Sequence, residues 1–316
     1  MMGRRIAGRD QRPEMGSMPA DTRDQVALGI MLMVGAIFAL SSMDMLIKYL
    51  AEDYNIWLLI WTRYVGQALL ATIVILPQGL GALKTANFPL QILRAALLFS
   101  GTAFFFFGLA AIDLATATAL LQINPLFIVI GSALVLGERP DRRILFSVIC
   151  GFLGAMIIIR PGSDVFTLAA LLPVAAALGF AGYTIVTKFL TRSESIWTSF
   201  FHTSVIGTLF ASLAVPLHWS PPATEDLGYF AGAALCGSIG QFLIIRALFA
   251  TRASILAPFG YTSLVFAACY GILIFGEYPD LWTTTGALII VSTGLLVWRQ
   301  QTTQDTTMRQ DPGPGQ

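Results

Sequence analysis

The chain has 316 residues, of which 56% are hydrophobic and only 12% charged, with a formal net charge of +1 and a mean hydropathy of +0.73. An ordinary soluble domain carries roughly 25% charged residues, and a folded chain of this size cannot keep so much apolar surface away from water. The composition excludes a water-soluble globular protein and offers a nucleic acid no basic face.

Residues 1–26 form a polar tail in which Arg4, Arg5, Arg9, Arg12 and Arg23 are mixed with Asp10, Glu14 and Asp21. The apolar segment that follows runs past signal-peptide length and ends without a small-residue cleavage pattern, so the tail reads as a cytoplasmic extension. A hydrocarbon core of about 30 Å needs roughly 20 helical residues. Parsed against that length, the chain predicts ten transmembrane helices, at 27 to 48, 57 to 77, 93 to 112, 115 to 136, 143 to 160, 166 to 187, 195 to 216, 228 to 249, 253 to 275 and 281 to 298. Asp113 and the Thr251-Arg252 pair supply the tight breaks before spans 4 and 9. Residues 299–316 form a second polar tail, expected to lack structure.

Gly137-Glu138-Arg139-Pro140-Asp141, between spans 4 and 5, returns as Gly276-Glu277-Tyr278-Pro279-Asp280 between spans 9 and 10. Glycine permits a helix exit, proline suits a helix start, and acidic side chains suit the next first turn, so each copy has a local structural role. The recurrence divides the chain into two five-span units, 27–160 and 161–298. Five is odd, so the units insert with opposite topology, giving an all-α polytopic protein built as two inverted repeats. With both termini inside, 16 of the 19 Lys and Arg residues face the cytoplasm, and only Lys48, Arg63 and Arg160 fall toward the outer side.

Charges at membrane depth are costly and mark functional sites. Asp44 and Arg63 lie roughly 6 to 10 Å below the outer boundary at about 1.5 Å per residue, on helices joined by a short loop, so a pair between them is expected, either as a structural clamp or as a gate or substrate contact. Lys48 is placed to snorkel or to compete for Asp44. Near the midplane stand Gln122 and Asn124, followed by Pro125, and at the matching offset in span 9 Tyr261 and Ser263, preceded by Pro258 and Gly260. Proline inside a span frees a carbonyl that protein, water or ligand must satisfy. Span 8 adds Gln241 and Arg246, the latter an anion contact, inner-gate residue or snorkelling cation. Of the run Phe104 to Phe107, at most two rings can face a cavity, while Trp57 and Trp61 fit the interfacial aromatic belt. His202 is expected to donate one helix–helix hydrogen bond. Gly179 and Gly182 could support close helix packing. Cys150, Cys236 and Cys269 read as small buried hydrophobes.

The sequence lacks a phosphate-binding loop, a His-Glu-x-x-His motif and any metal-ligand set, so no catalytic residues, metal or cofactor are expected and movement of a solute would be secondary. Over residues 27 to 298 the chain resembles the drug/metabolite transporter superfamily and its EamA-like branch. The resemblance rests on the ten short spans, the Gly-Glu endings of spans 4 and 9, and Arg160-Pro161-Gly162. It implies a small-metabolite transporter of the bacterial inner membrane, working by alternating access at the repeat interface in contact with lipid, with a homodimer left open. Ser42-Met43-Asp44 with Lys48, Trp61-Thr62-Arg63-Tyr64, and the stretch Ala115 to Ala119 resemble an alphaproteobacterial subgroup that includes riboflavin importers. Riboflavin uptake is therefore the activity the resemblance implies first, with transport of S-adenosylmethionine or an amino acid or other metabolite, as in related members, the alternative. Riboflavin would take stacking aromatics and partners such as Gln122, Asn124, Gln241 and Tyr261, whereas a zwitterion would take Asp44 and Arg246. A non-transporting interaction or sensory role is the alternative class.

Overall fold

The computed structural model describes residues 23–75, 83–136, 142–160, 167–190, 194–250 and 257–310. The chain runs through α1 (Arg23–Leu50), α2 (Ile56–Ile75), α3 (Phe88–Leu109), α4 (Leu114–Leu121), α5 (Asn124–Leu136), α6 (Arg142–Ile159), α7 (Leu171–Leu190), α8 (Ile196–Ala214), α9 (Leu227–Ala250), α10 (Thr262–Tyr270) and α11 (Leu281–Gln310). Six stretches are long and apolar enough to cross a bilayer, within α1, α2, α3, α7, α8 and α9. Four shorter apolar stretches, Leu114–Ile128, Ile149–Ile159, Phe259–Phe275 and Leu281–Thr293, complete ten segments among the described residues. Leu69, Ile73, Leu153, Leu213, Leu235, Leu273 and Leu288 point outward, as a lipid-facing surface requires.

Two spans expected as continuous helices are broken. Span 4 divides at Gln122-Ile123 into α4 and α5, because Pro125 has no N–H to give the Leu121 carbonyl one turn back. The described part of span 9 runs from a 3₁₀ turn, Ala257–Tyr261, around Pro258, through α10 to the π-turn Gly271–Phe275. Gly276 closes that turn at φ 65°, a left-handed conformation that favours glycine. The first Gly-Glu-x-Pro-Asp copy lies outside the described residues. The second tail departs from expectation: α11 continues to Gln310.

The helices pair as an inverted repeat demands. α1 packs on α9 and α3 on α7, which are the same contact once the halves are exchanged. The contacts of α2 with α9 and α3 with α8 are likewise equivalent, as are those of α5 with α7 and α1 with α10. α2 with α8, α4 with α10, and α6 with α11 lie on the pseudo-two-fold axis itself. Close approach is set by small residues. A Cβ on Gly179 would stand 3.0 Å from the Gly101 backbone, and one on Gly286 2.6 Å from the Gly154 carbonyl oxygen. Gly179 therefore meets the packing expectation, and Gly182 abuts Leu97. Replacing Gly179 by Leu is expected to cost about 1–3 kcal/mol through overpacking, seen as a lower melting temperature of the detergent-solubilised protein; an unchanged melt would contradict the contact.

Candidate functional site

Asp44 on α1 and Arg63 on α2 open onto one interior cavity of about 120 Å³, lined also by Leu40, Met43, Thr102, Phe105, Phe106, Leu121 and Phe180. Arg63 is only 6% exposed. Its Nη1 donates to Thr102 Oγ1, and its guanidinium lies 5.3 Å from the Tyr64 ring centroid and 5.8 Å from that of Phe106. These contacts stabilise a buried cation, yet its Nε has no partner. Asp44 and Arg63 line the same cavity, but the pair expected between them is not formed, since they make no direct ion pair. An acid and a base thus share a cavity without a direct ion pair. Phe105 and Phe106 supply the two rings of the Phe run that reach it, while Phe104 is 41% exposed and Phe107 packs edge-on against Trp57.

The other candidates fall elsewhere. Gln122 Nε2 donates to the Gly260 carbonyl at 3.3 Å, and Asn124 Nδ2 to the Ala177 carbonyl at 2.8 Å. Both amides are thus engaged at the helix breaks, the first joining span 4 to span 9 across the pseudo-two-fold. Tyr261 is half-buried at the end of the 3₁₀ turn, with Ser263 Oγ buried and unpartnered close by. Gln241 is half-buried on α9, and Arg246 is exposed with its guanidinium 5.6 Å from the Phe242 ring, away from the Asp44 cavity. His202 Nδ1 bonds Thr198 O within its own helix rather than across helices. Trp61 Nε1 donates to Ser212 Oγ at 2.9 Å, so it ties α2 to α8. Cys269 is exposed, Cys150 and Cys236 half-buried, and all three are free thiols.

Lys48 neither snorkels nor takes Asp44. Its Nζ sits 2.9 Å from Glu277 Oε1 and donates to the carbonyls of Ile112 at 2.8 Å and Leu109 at 3.3 Å. Glu277 Oε2 accepts the Leu114 N–H at 2.9 Å. This clasp joins the end of α1, the α3–α4 turn and the repeated motif of the second half. Two further ties between the halves lie on the same face. Arg160, in a left-handed conformation at φ 51° after α6, pairs with Asp280 before α11, and Tyr54 donates to Asp226 Oδ2 at 2.6 Å. Burial pushes the Asp280 carboxyl up, but bonds from Thr283 and the Arg160 charge hold it below the ordinary carboxylate range. Asp113 beside the clasp is raised by burial and then by Glu277. The repeat offered a signal for this pairing: Lys48-Tyr49-Leu50 recurs as Lys188-Phe189-Leu190, so Lys48 and Glu277 both occupy places that the two halves share.

Arg94, counted from the sequence among the cytoplasm-facing cations at the start of the span 93 to 112, is a buried residue of α3 at 5% exposure. α3 starts at Phe88, earlier than the span parse allowed, and carries Arg94 inward. Its Nε donates to Thr187 Oγ1 at 2.8 Å and its Nη2 to Tyr183 OH at 2.9 Å. At the start of α3, Glu194 Oε1 accepts from Thr85 Oγ1 and from the N–H groups of Ala86 and Asn87. Burial raises its carboxyl, but those bonds prevail and hold it below 4.5. A carboxyl depressed in the folded state contributes stability that is full above its unfolded value and lost as pH falls through the folded one. Glu194→Gln is accordingly expected to flatten the acid limb of a pH–melting profile below about 4.5; an unaltered limb would count against the cap.

The sequence and the fold match known proteins. A family model, the EamA-like transporter family, matches residues 27–160 and 167–299. The chain is 27% identical over 277 residues to an S-adenosylmethionine uptake transporter of Rickettsia bellii, covering 88% of this chain and 95% of that protein. It is 28% identical over 273 residues to the pseudopaline exporter CntI of Pseudomonas aeruginosa, covering 85% and 95%. A riboflavin transporter of Rhizobium johnstonii is 33% identical over 229 residues, 71% of this chain and 74% of that one. A solved crystal structure superposes with a TM-score of 0.62 over 86% of this chain and 96% of its own at 17% identity, a likeness of fold alone. With both halves of ten helical segments matched by one model, the chain belongs to the EamA-like transporter family.

Proposed function

We propose that the protein is a secondary transporter of a zwitterionic, carboxylate-bearing metabolite with an apolar or aromatic portion, bound between Asp44 and Arg63. The observation that carries this reading is the cavity in which an acid and a base face common space, unpaired with each other, with Arg63 Nε lacking any partner. A substrate with both charges supplies the missing partners, and Phe105, Phe106 and Phe180 offer rings to the remainder. The S-adenosylmethionine transporters among the relatives carry a solute of this type. At about 120 Å³ the cavity is smaller than the roughly 300 Å³ of sites that enclose drug-sized ligands, so loading requires the helices to part. Given the positive-charge asymmetry, the Lys48 face is the outer one, and its ties between the halves hold that side closed.

A second reading, riboflavin uptake, is favoured by the 33% identical relative. It needs neutral amide partners, whereas Gln122 and Asn124 are engaged by backbone carbonyls. The two separate in liposomes containing the purified protein. Counterflow of labelled S-adenosylmethionine inhibited by other α-amino acids, and not by riboflavin, is expected. Restored growth of a riboflavin auxotroph, with no zwitterion counterflow, would replace the first reading by the second.

A further inference from the structure

We infer that Arg94 and Gln91 form a second binding station, for an α-amino-acid head group, between the central cavity and the membrane face from which α3 starts. Its place on a translocation route rests on the proposed function; its existence does not. Gln91 is 0% exposed and Arg94 5%, and they lie one turn apart on α3. Gln91 Nε2 reaches Ser199 Oγ at 3.4 Å, but Gln91 Oε1 has no partner. Arg94 uses Nε and Nη2 on the hydroxyls of Thr187 and Tyr183 and stacks 4.8 Å from the Tyr183 ring, but Nη1 has no partner. Of the described side chains that are less than 9% exposed, the charged ones are Arg63 and Arg94, and neither forms an ion pair with a carboxylate.

A guanidinium held in a membrane interior without a counter-anion is costly, and hydroxyl partners do not neutralise it. A carboxylate oxygen would accept from the open Nη1, and the ammonium next to it would give the Gln91 carbonyl its missing donor. An orphan donor and an orphan acceptor one turn apart therefore complement a carboxylate and its α-ammonium together. The location links this station to the first. Arg94 is eight residues from Thr102, the partner of Arg63, or about 12 Å along α3. On α7, Tyr183 lies one turn beyond Phe180, which lines the Asp44 cavity. Both arginines thus border the seam between α3 and α7, where Gly101 and Gly179 bring the backbones together.

The test uses Arg63→Gln protein in detergent, so that the first station is removed, with L-methionine as the probe and its decarboxylated amine as control. L-methionine is expected to raise the melting temperature of the R63Q protein, the amine is not, and R63Q/R94Q is expected to lose the shift. R63Q/R94K keeps the charge and should retain part of it, which covers the case in which the glutamine double variant does not fold. An equal shift in R63Q/R94Q, or no shift in R63Q, overturns the station. Unchanged counterflow in R63Q would instead sink the Asp44–Arg63 reading while leaving the melting result standing.

Discussion

Arg63→Gln is expected to lower counterflow at least 100-fold while leaving the protein monodisperse and its melting temperature within a few degrees of wild type. The glutamine removes a buried cation whose cost is only partly offset by Thr102, Tyr64 and Phe106, so the stability effect is small. The functional effect is large because the guanidinium is the only cation among the described residues lining the cavity and would carry the substrate carboxylate in a low-dielectric setting. Arg63→Lys keeps the charge but loses the fork, and should fall between the two. The charge-exchanged protein, Asp44→Arg with Arg63→Asp, is expected to stay inactive, because the two side chains face a common cavity without forming a pair. Recovery in that double variant would show that they act on each other rather than on substrate, and a large loss of thermal stability in Arg63→Gln would point to a clamp.

Linking Lys48→Cys to Glu277→Cys with a bifunctional thiol reagent, in a protein whose native cysteines are replaced by alanine, should abolish more than nine-tenths of transport. The clasp ties the halves through several groups: one ammonium holds a carboxylate and two backbone carbonyls, and that carboxylate holds the first free N–H of α4. If the halves rock about the cavity, this face must separate once per cycle, and a covalent link forbids it. A cleavable reagent should restore transport on reduction, which distinguishes blocked motion from misfolding. Full transport by the linked protein would make the clasp a fixed strut. Glu277→Gln, which keeps an acceptor for Leu114 but weakens the hold on Lys48, should loosen the same face and change the rate less than the link does.

Much of this architecture was legible in the residues because hydrophobic run length and an odd-numbered repeat are strong signals: run length sets the number of crossings, and oddness sets the inversion. The helix breaks were half legible. Pro125 and Pro258 announced trouble at the right places, but only packing decides whether a proline bends a span or splits it, and here Gln122 and Asn124 bind carbonyls of other elements and hold span 4 in two pieces. Asp44 and Arg63 were found because a charge inside an apolar run is conspicuous. Arg94 was missed because it stands only six residues after Phe88, where apolar pattern alone cannot place a helix start. Lys48 was expected to snorkel or to compete for Asp44, because i,i+4 proximity is visible in a linear sequence and a contact across 229 residues is not. Arg246, equally conspicuous, proved exposed, since the face of a uniformly apolar helix that turns inward is set by its neighbours.

The central claim is that the cavity recognises a carboxylate and a cation together. Counterflow of S-adenosylmethionine and of its carboxyl methyl ester, compared in the same proteoliposomes with wild-type and Arg63→Gln protein, tests it most directly. Robust exchange of the zwitterion, at least tenfold weaker exchange of the ester, and loss of that preference in Arg63→Gln are expected. Equal exchange of ester and zwitterion by the wild-type protein, or a preference that survives without Arg63, would contradict it.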